Sequence, residues 1–192
     1  MRIGLFGGSF NPIHNGHVTL GRTMLREMRL DEVWFLVSPH NPLKESAELL
    51  DEQQRLRLTR LAVEDWPGLC ASDYEFALPR PSYTWNTLQH LRHDFPQHEF
   101  VLIIGGDNWE AFDKWAHHDE ILATHEVAVF PREGAENGQG TMELPANVHL
   151  INVPLVNVTS TMLRQMLRQG QDISQYVPAK VAREITEKSL YR

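Results

Sequence analysis

The stretch Arg2-Ile3-Gly4-Leu5-Phe6-Gly7-Gly8-Ser9-Phe10-Asn11-Pro12-Ile13-His14-Asn15-Gly16-His17 opens on an apolar run, breaks at paired glycines and leads through two histidines into an amphipathic segment. A short apolar run ended by glycine reads as a buried strand, and the apolar spacing from His17 onward reads as a helix. The order strand, Gly-rich turn, helix is the start of a βαβ unit. Glycine allows close backbone approach to a ligand, and a helix N-terminus aims N–H groups and a positive dipole end at an anion. Gly7, Gly8, Ser9 and Phe10 are therefore candidates for phosphate binding. His14 and His17 lie three apart across the turn, so both imidazoles, protonated or donating, can face one phosphate chain. An isolated His-x-x-His more often marks surface residues on a structural turn; here the surrounding turn favours the functional reading.

The pattern of the first strand and helix continues along the chain. Strands are expected near 2–6, 32–38, 99–104, 126–130 and 148–151, and helices near 17–28, 51–65, 83–94, 109–122, 159–169 and 178–189. Gly170 stops the fifth of these helices, and Pro178 suits a first-turn position in the sixth. Alternating short strands and amphipathic helices imply an α/β class: a Rossmann-like open parallel sheet with helices on both faces and a small C-terminal helical lobe. The length of 192 residues bounds this to one domain, 1–192, with the lobe at about 155–192. Leu56, Leu61 and Val63 of the second helix are expected in the core. The Gly-, Glu- and Asn-rich stretch 132–145 reads as a loop inside the domain, and Pro39, Pro42, Pro79 and Pro81 punctuate two more.

Composition excludes several classes. Apolar residues make up 42% and charged residues 22%, as in ordinary globular chains, so disorder and collagen-like structure do not fit. With 18 Lys and Arg against 25 Asp and Glu the net charge is −7, which argues against nonspecific binding to nucleic acid or an anionic membrane. A polyanionic ligand must then meet a local cationic cluster. Cys70 is the only cysteine, which removes an intramolecular disulfide and suits a cytoplasmic address. No run approaches the roughly 18 apolar residues of a spanning helix. The N-terminus reads as a first strand and not as a signal peptide. The chain lacks G-x-G-x-x-G, G-x-x-x-x-G-K-[ST] and H-E-x-x-H, so a redox dinucleotide fingerprint, a P-loop and a zinc-protease site are absent, and no protein metal ligand is expected. His90 and His93, and the adjacent His117 and His118, read as solvated helix residues.

Gly8, Phe10, Pro12, His14, Gly16 and His17 together resemble the G-x-F-x-P-x-H-x-G-H signature of the nucleotidylyltransferase superfamily. A second block, Thr159-Ser160-Thr161-Met162-Leu163-Arg164, resembles the superfamily's S-x-T-x-x-R element, which caps a late helix and holds a triphosphate. Chemically, Thr159 or Ser160 can cap the helix while N–H groups, a hydroxyl and Arg164 converge on phosphate oxygens. Further blocks extend the likeness to the bacterial nicotinate-nucleotide adenylyltransferase family: Ser38-Pro39-His40-Asn41-Pro42-Leu43-Lys44, Pro81-Ser82-Tyr83-Thr84, Ile104-Gly105-Gly106-Asp107-Asn108 with Trp115, and Phe130-Pro131-Arg132.

The resemblance implies that Asn41 and Thr84 surround the pyridine nucleotide, that Trp115 stacks on the pyridine ring and that Arg132 meets the mononucleotide phosphate. Gly105 and Asp107 fall on the ATP side, Asp107 facing the ribose. An electron-rich indole against an electron-poor pyridinium is worth roughly 0.5–2 kcal/mol. Two positions depart from the family: Ala116 follows the tryptophan where tyrosine is common, and Leu43 precedes Lys44 where histidine is common. Tyr83, His117 or His40 are alternatives for the lost contact.

The implied activity is adenylyl transfer between ATP and nicotinate mononucleotide, with His14, His17, Lys44 and Arg164 as the expected catalytic cations and Mg²⁺ carried by ATP. The alternatives are the amide mononucleotide or phosphopantetheine as acceptor, or a noncatalytic nucleotide sensor. The oligomeric state is not readable from the chain.

Overall fold

The computed structural model describes residues 1–39, 49–131, 144–154 and 156–191. In chain order these form β1 (Arg2–Gly8), α1 (Asn15–Glu27), β2 (Glu32–Val37), α2 (Glu52–Val63), β3 (Leu69–Ser72), α3 (Thr84–Asp94) and β4 (Glu99–Gly105). They continue with α4 (Gly106–Glu110), α5 (His118–Thr124), β5 (Glu126–Phe130), β6 (Val148–Leu150), α6 (Ser160–Arg168) and α7 (Ala179–Glu187), with 3₁₀ turns at Tyr74–Ala77 and Phe112–Lys114. The sheet has six strands in the order β3-β2-β1-β4-β5-β6, and every pairing is parallel.

Period-two alternation divides each central strand between two apolar layers. Phe6, Val33, Phe35, Val37, Val101, Ile103 and Ala128 point to one layer, where α1, α2, α6 and α7 cover them with Met24, Leu58, Leu163, Val181 and their neighbours. Ile3, Leu5, Leu36, Phe100, Leu102, Ile104, Val127 and Val129 point to the other, covered by Leu88 and Leu91 of α3, Phe112, and Ile121 of α5. Leu56 and Val63 of α2 are buried in the first layer, with Leu61 packed at its margin.

Two elements differ from the sequence expectation. β3 was not anticipated: in Leu69-Cys70-Ala71-Ser72 only Leu69 is buried, so no alternation marks it, and its strand state comes from pairing with Val33–Leu36 of β2. The helix expected over 109–122 is three pieces, because Trp115 is extended and His117 is left-handed at φ 59°. Trp109, Phe112 and Trp115 recur every third residue, a spacing that a 3₁₀ turn satisfies as well as an α-helix does. All three pack on the α3 and α5 side of the sheet.

The fit of α1 onto β2 depends on Gly21. A Cβ built there would come within 2.6 Å of the Phe35 ring, and Phe35 is fully buried. Gly21→Ala should therefore lower stability, since overpacking costs ~1–3 kcal/mol and exceeds the ~1 kcal/mol that alanine's helix propensity returns. Urea unfolding measures the difference; a more stable Gly21→Ala protein would contradict this packing.

Candidate active site

The strand order reverses between β1 and β4, which lead outward in opposite directions to β3 and β6. In an open α/β sheet the crevice beyond the carboxyl ends at such a reversal is the place for a ligand. Gly8 ends β1 and Gly105 ends β4, so the turns carrying Gly7–Phe10 and Gly105–Asp107 flank this crevice.

The first turn is built around Phe10, which has φ 45° and lies almost wholly buried against the Phe6 and Phe35 rings. A Cβ at Gly8 would meet the Phe10 ring at 2.9 Å, whereas Gly7 faces open space. The Phe10 ring also meets His17 edge-on, with centroids 5.2 Å apart, and so holds the imidazole in place.

α1 begins at Asn15, earlier than expected, because His14 is extended and serves as its N-cap residue. The His14 N–H donates to Nδ1 of His17 at 3.2 Å, and the two rings stack with centroids 3.6 Å apart. With Nδ1 accepting, the His17 ring proton rests on Nε2, the nitrogen remote from the backbone. Gly16 makes room for the stack: a Cβ there would lie 3.0 Å from the His14 ring. Burial pulls the His14 pKa from 6.5 down to about 4, so near neutral pH His14 is a neutral imidazole and not the cation expected from sequence.

The late block meets this turn directly. Thr159 caps α6, its Oγ1 accepting the Met162 N–H at 3.1 Å, which selects Thr159 over Ser160 as the cap. Ser160 Oγ donates instead to the Pro12 carbonyl at 2.9 Å, and Arg164 Nη1 donates to the Asn11 carbonyl at 2.9 Å. The first turn of α6, with Thr161 exposed at its second position, is thereby fixed beside the Gly-rich turn.

On the other side, Gly105 precedes α4, and a Cβ there would lie 2.7 Å from Asp107 Oδ1. Asp107 is exposed in the first turn of this helix, where a carboxylate complements the dipole. Thr84 opens α3. The next residue, Trp85, stacks on His117 with centroids 5.4 Å apart, which joins the start of α3 to the segment bearing Trp115. Trp115 is half-buried against Phe112, with centroids 5.1 Å apart. The sequence signals for Trp85 and His117 were no stronger than those of any exposed helix residue.

Two buried groups that sequence reasoning passed over hold these parts together. Glu75 accepts a hydrogen bond from Thr87 Oγ1 of α3 at 2.9 Å and also bonds the Ser38 side chain; burial pushes its carboxyl pKa up. Arg55 of α2 donates to the carbonyls of Ser9 and Ser38 at 2.7 and 2.9 Å. Its only sequence signal is that Arg55, Leu58, Thr59 and Ala62 form one buried helix stripe in which an arginine occupies a core position. The expected site residues Asn41, Lys44 and Arg132 lie outside the described residues. Among the described residues no group of three or more His, Cys, Asp or Glu gathers to hold a metal ion. No helix among them is long and apolar enough to cross a membrane.

Residues 5–166 match the cytidylyltransferase-like family. The chain is 43% identical over 188 residues to a probable nicotinate-nucleotide adenylyltransferase of Bacteroides fragilis, covering 98% of this chain and 92% of that protein. It is 41% identical over 192 residues to one of Flavobacterium johnsoniae, covering 100% of both. In fold it is similar to Plasmodium falciparum nicotinic acid mononucleotide adenylyltransferase complexed with NaAD, with a TM-score of 0.81, 17% identity and coverage of 99% and 97% of the two chains.

Neutral burial of His14 has a consequence for acid stability. The unfolded chain takes up a proton near pH 6.5 that the folded chain resists until about pH 4. The stability that this side chain contributes is therefore complete above pH 6.5 and lost as pH falls through that window, by about 3 kcal/mol. Urea unfolding should show the wild type losing about that much more than His14→Gln between pH 7.5 and pH 4. Parallel losses would contradict a neutral, buried ring.

Proposed function

The chain belongs to the cytidylyltransferase-like family, and we propose that, like its nicotinate-nucleotide adenylyltransferase relatives, it joins ATP to nicotinate mononucleotide in NAD biosynthesis. A phosphate oxygen of the mononucleotide attacks the α-phosphorus of ATP in line. The bond from that phosphorus to the bridging oxygen breaks, pyrophosphate leaves and nicotinate adenine dinucleotide remains. The attacking phosphate is already anionic near neutral pH, so no general base is required and the protein supplies position and charge stabilisation.

One observation carries this reading: Ser160 and Arg164 of α6 are bonded to the carbonyls of Pro12 and Asn11, beside the stacked His14 and His17. Two helix N-termini, α1 and α6, then serve one ligand, and each directs backbone N–H groups and dipole charge toward phosphate. That arrangement gives a chain of net charge −7 a local site for a polyanion. Gly7, Gly8, Ser9 and Phe10 line the ATP phosphates with Thr159, Ser160 and Thr161, while Gly105 and Asp107 take the ribose side. His17 donates from Nε2, His14 contributes as a neutral donor, and Lys44 and Arg164 bring positive charge to the transition state.

Asn41, Thr84, Trp115 and Arg132 are assigned to the mononucleotide. At the family's usual tyrosine position this chain has Ala116, and the adjoining Trp85–His117 stack offers an aromatic surface there. Mg²⁺ enters with the ATP phosphates and keeps several waters, as suits this small, strongly hydrated ion. The same reading takes 1–192 as one domain acting in the cytoplasm.

The test is pyrophosphate release from ATP·Mg²⁺ with nicotinate mononucleotide, nicotinamide mononucleotide or phosphopantetheine. The acid mononucleotide should be the preferred acceptor. Release only with phosphopantetheine would overturn the acceptor, and ATP binding without release from any of them would favour a sensor. His17→Ala should lower kcat by about 100- to 1,000-fold, the usual loss for one donor aimed at developing charge. Its effect on ATP affinity should be much smaller; equal losses in both would mean that His17 serves ground-state binding.

A further inference from the structure

Arg55 is fully buried, with 0% of its surface exposed. Its guanidinium makes four hydrogen bonds, all to backbone carbonyls. Nε donates to Leu50 at 2.7 Å, Nη1 to Ser9 at 2.7 Å and Ser38 at 2.9 Å, and Nη2 to Pro39 at 3.3 Å. These carbonyls come from three separate stretches: the turn after β1, the end of β2 and the entry to α2. The same stretches are tied to each other by the Ser38 N–H on the Gly8 carbonyl at 2.9 Å and by the Leu50 N–H on Asn11 Oδ1 at 3.1 Å.

A planar fork of donors matches diverging carbonyls in a way that an ammonium does not. Burying a cation is costly, and here it makes no direct bond to a carboxylate among the described residues. Asp51 and Glu52 at the start of α2 act on it through space, and burial draws its pKa below the ordinary guanidinium value. The Ser9 carbonyl that it holds belongs to the turn assigned to the ATP phosphates. A fixed positive charge beneath that turn favours the triphosphate without touching it.

We propose that Arg55 is a positioning residue for adenylyl transfer, locking the phosphate-binding turn after β1 in register with the carboxyl end of β2. The proposal rests on the adenylyl-transfer reading above. An arginine that only stabilised the fold would affect the amount of folded protein. A positioning arginine also sets the turnover of each folded molecule, because a displacement of about 1 Å at a reacting centre can cost 100-fold in rate.

The experiment compares wild type, Arg55→Lys and Arg55→Met with ATP·Mg²⁺ and nicotinate mononucleotide, normalising kcat to the folded fraction from near-UV circular dichroism. Lysine keeps the charge but loses the fork, so kcat should fall about 10- to 100-fold per folded molecule, and further in Arg55→Met. Wild-type kcat in folded Arg55→Lys would overturn the proposal, whatever happens to KM or Tm. Should neither variant fold, the Nε–H resonance of Arg55 in ¹⁵N-labelled wild type decides. It should shift when a non-hydrolysable ATP analogue saturates the protein, and an unmoved resonance would overturn the proposal. A wild type that binds ATP but releases no pyrophosphate would instead defeat the adenylyl-transfer reading itself.

Discussion

Two hydrogen bonds across most of the chain's length hold the site together. Ser160 Oγ reaches the Pro12 carbonyl, 148 residues away in sequence, and Arg164 Nη1 reaches the Asn11 carbonyl, 153 residues away. Both donors sit on α6, one helical turn apart, and both acceptors sit in the turn that leaves β1. The parallel sheet places the carboxyl end of β1 at the strand-order reversal, and the apolar side of α6, through Leu163 and Leu167, fixes that helix on the same layer as α1. The two polar bonds then set its register. Without them, the N-terminus of α6 and the start of α1 would have no reason to face the same ligand.

The electrostatics follow from that geometry. An acidic protein attracts a triphosphate by concentrating dipoles and donors in one crevice, and the described residues there use charge sparingly. His14 is held neutral by burial, His17 accepts a backbone bond at Nδ1, and Arg164 is anchored to a carbonyl. Donors fixed before the ligand arrives need little reorganisation during the reaction, which is where preorganised sites gain most of their effect. Beneath the turn, Arg55 contributes a buried charge on the same rigid framework.

Much of this was legible in the chain. Strong apolar runs such as Phe100–Ile104 and the amphipathic helices told their state, because burial on both sheet faces leaves little ambiguity. The spacing of Gly8, Phe10, Pro12, His14, Gly16 and His17 marked the turn, and Thr159 to Arg164 marked its partner. What escaped has physical causes. β3 is a strand by pairing and not by pattern. The run from Trp109 to Trp115 has a spacing common to two kinds of helix, so only tertiary packing decides between them. The charge state of His14 depends on burial, which local spacing does not report. Arg55 looks like any solvent-facing helix arginine until the fold shows three backbone stretches converging on it.

The most direct test of a shared phosphate site is a crystal structure of the protein with a non-hydrolysable ATP analogue. The account predicts that the analogue's phosphate chain bridges His17 Nε2 and the first-turn N–H groups of α6, with the Gly7–Ser9 backbone alongside. A triphosphate held by one of these elements alone, with the other turned toward solvent, would contradict it.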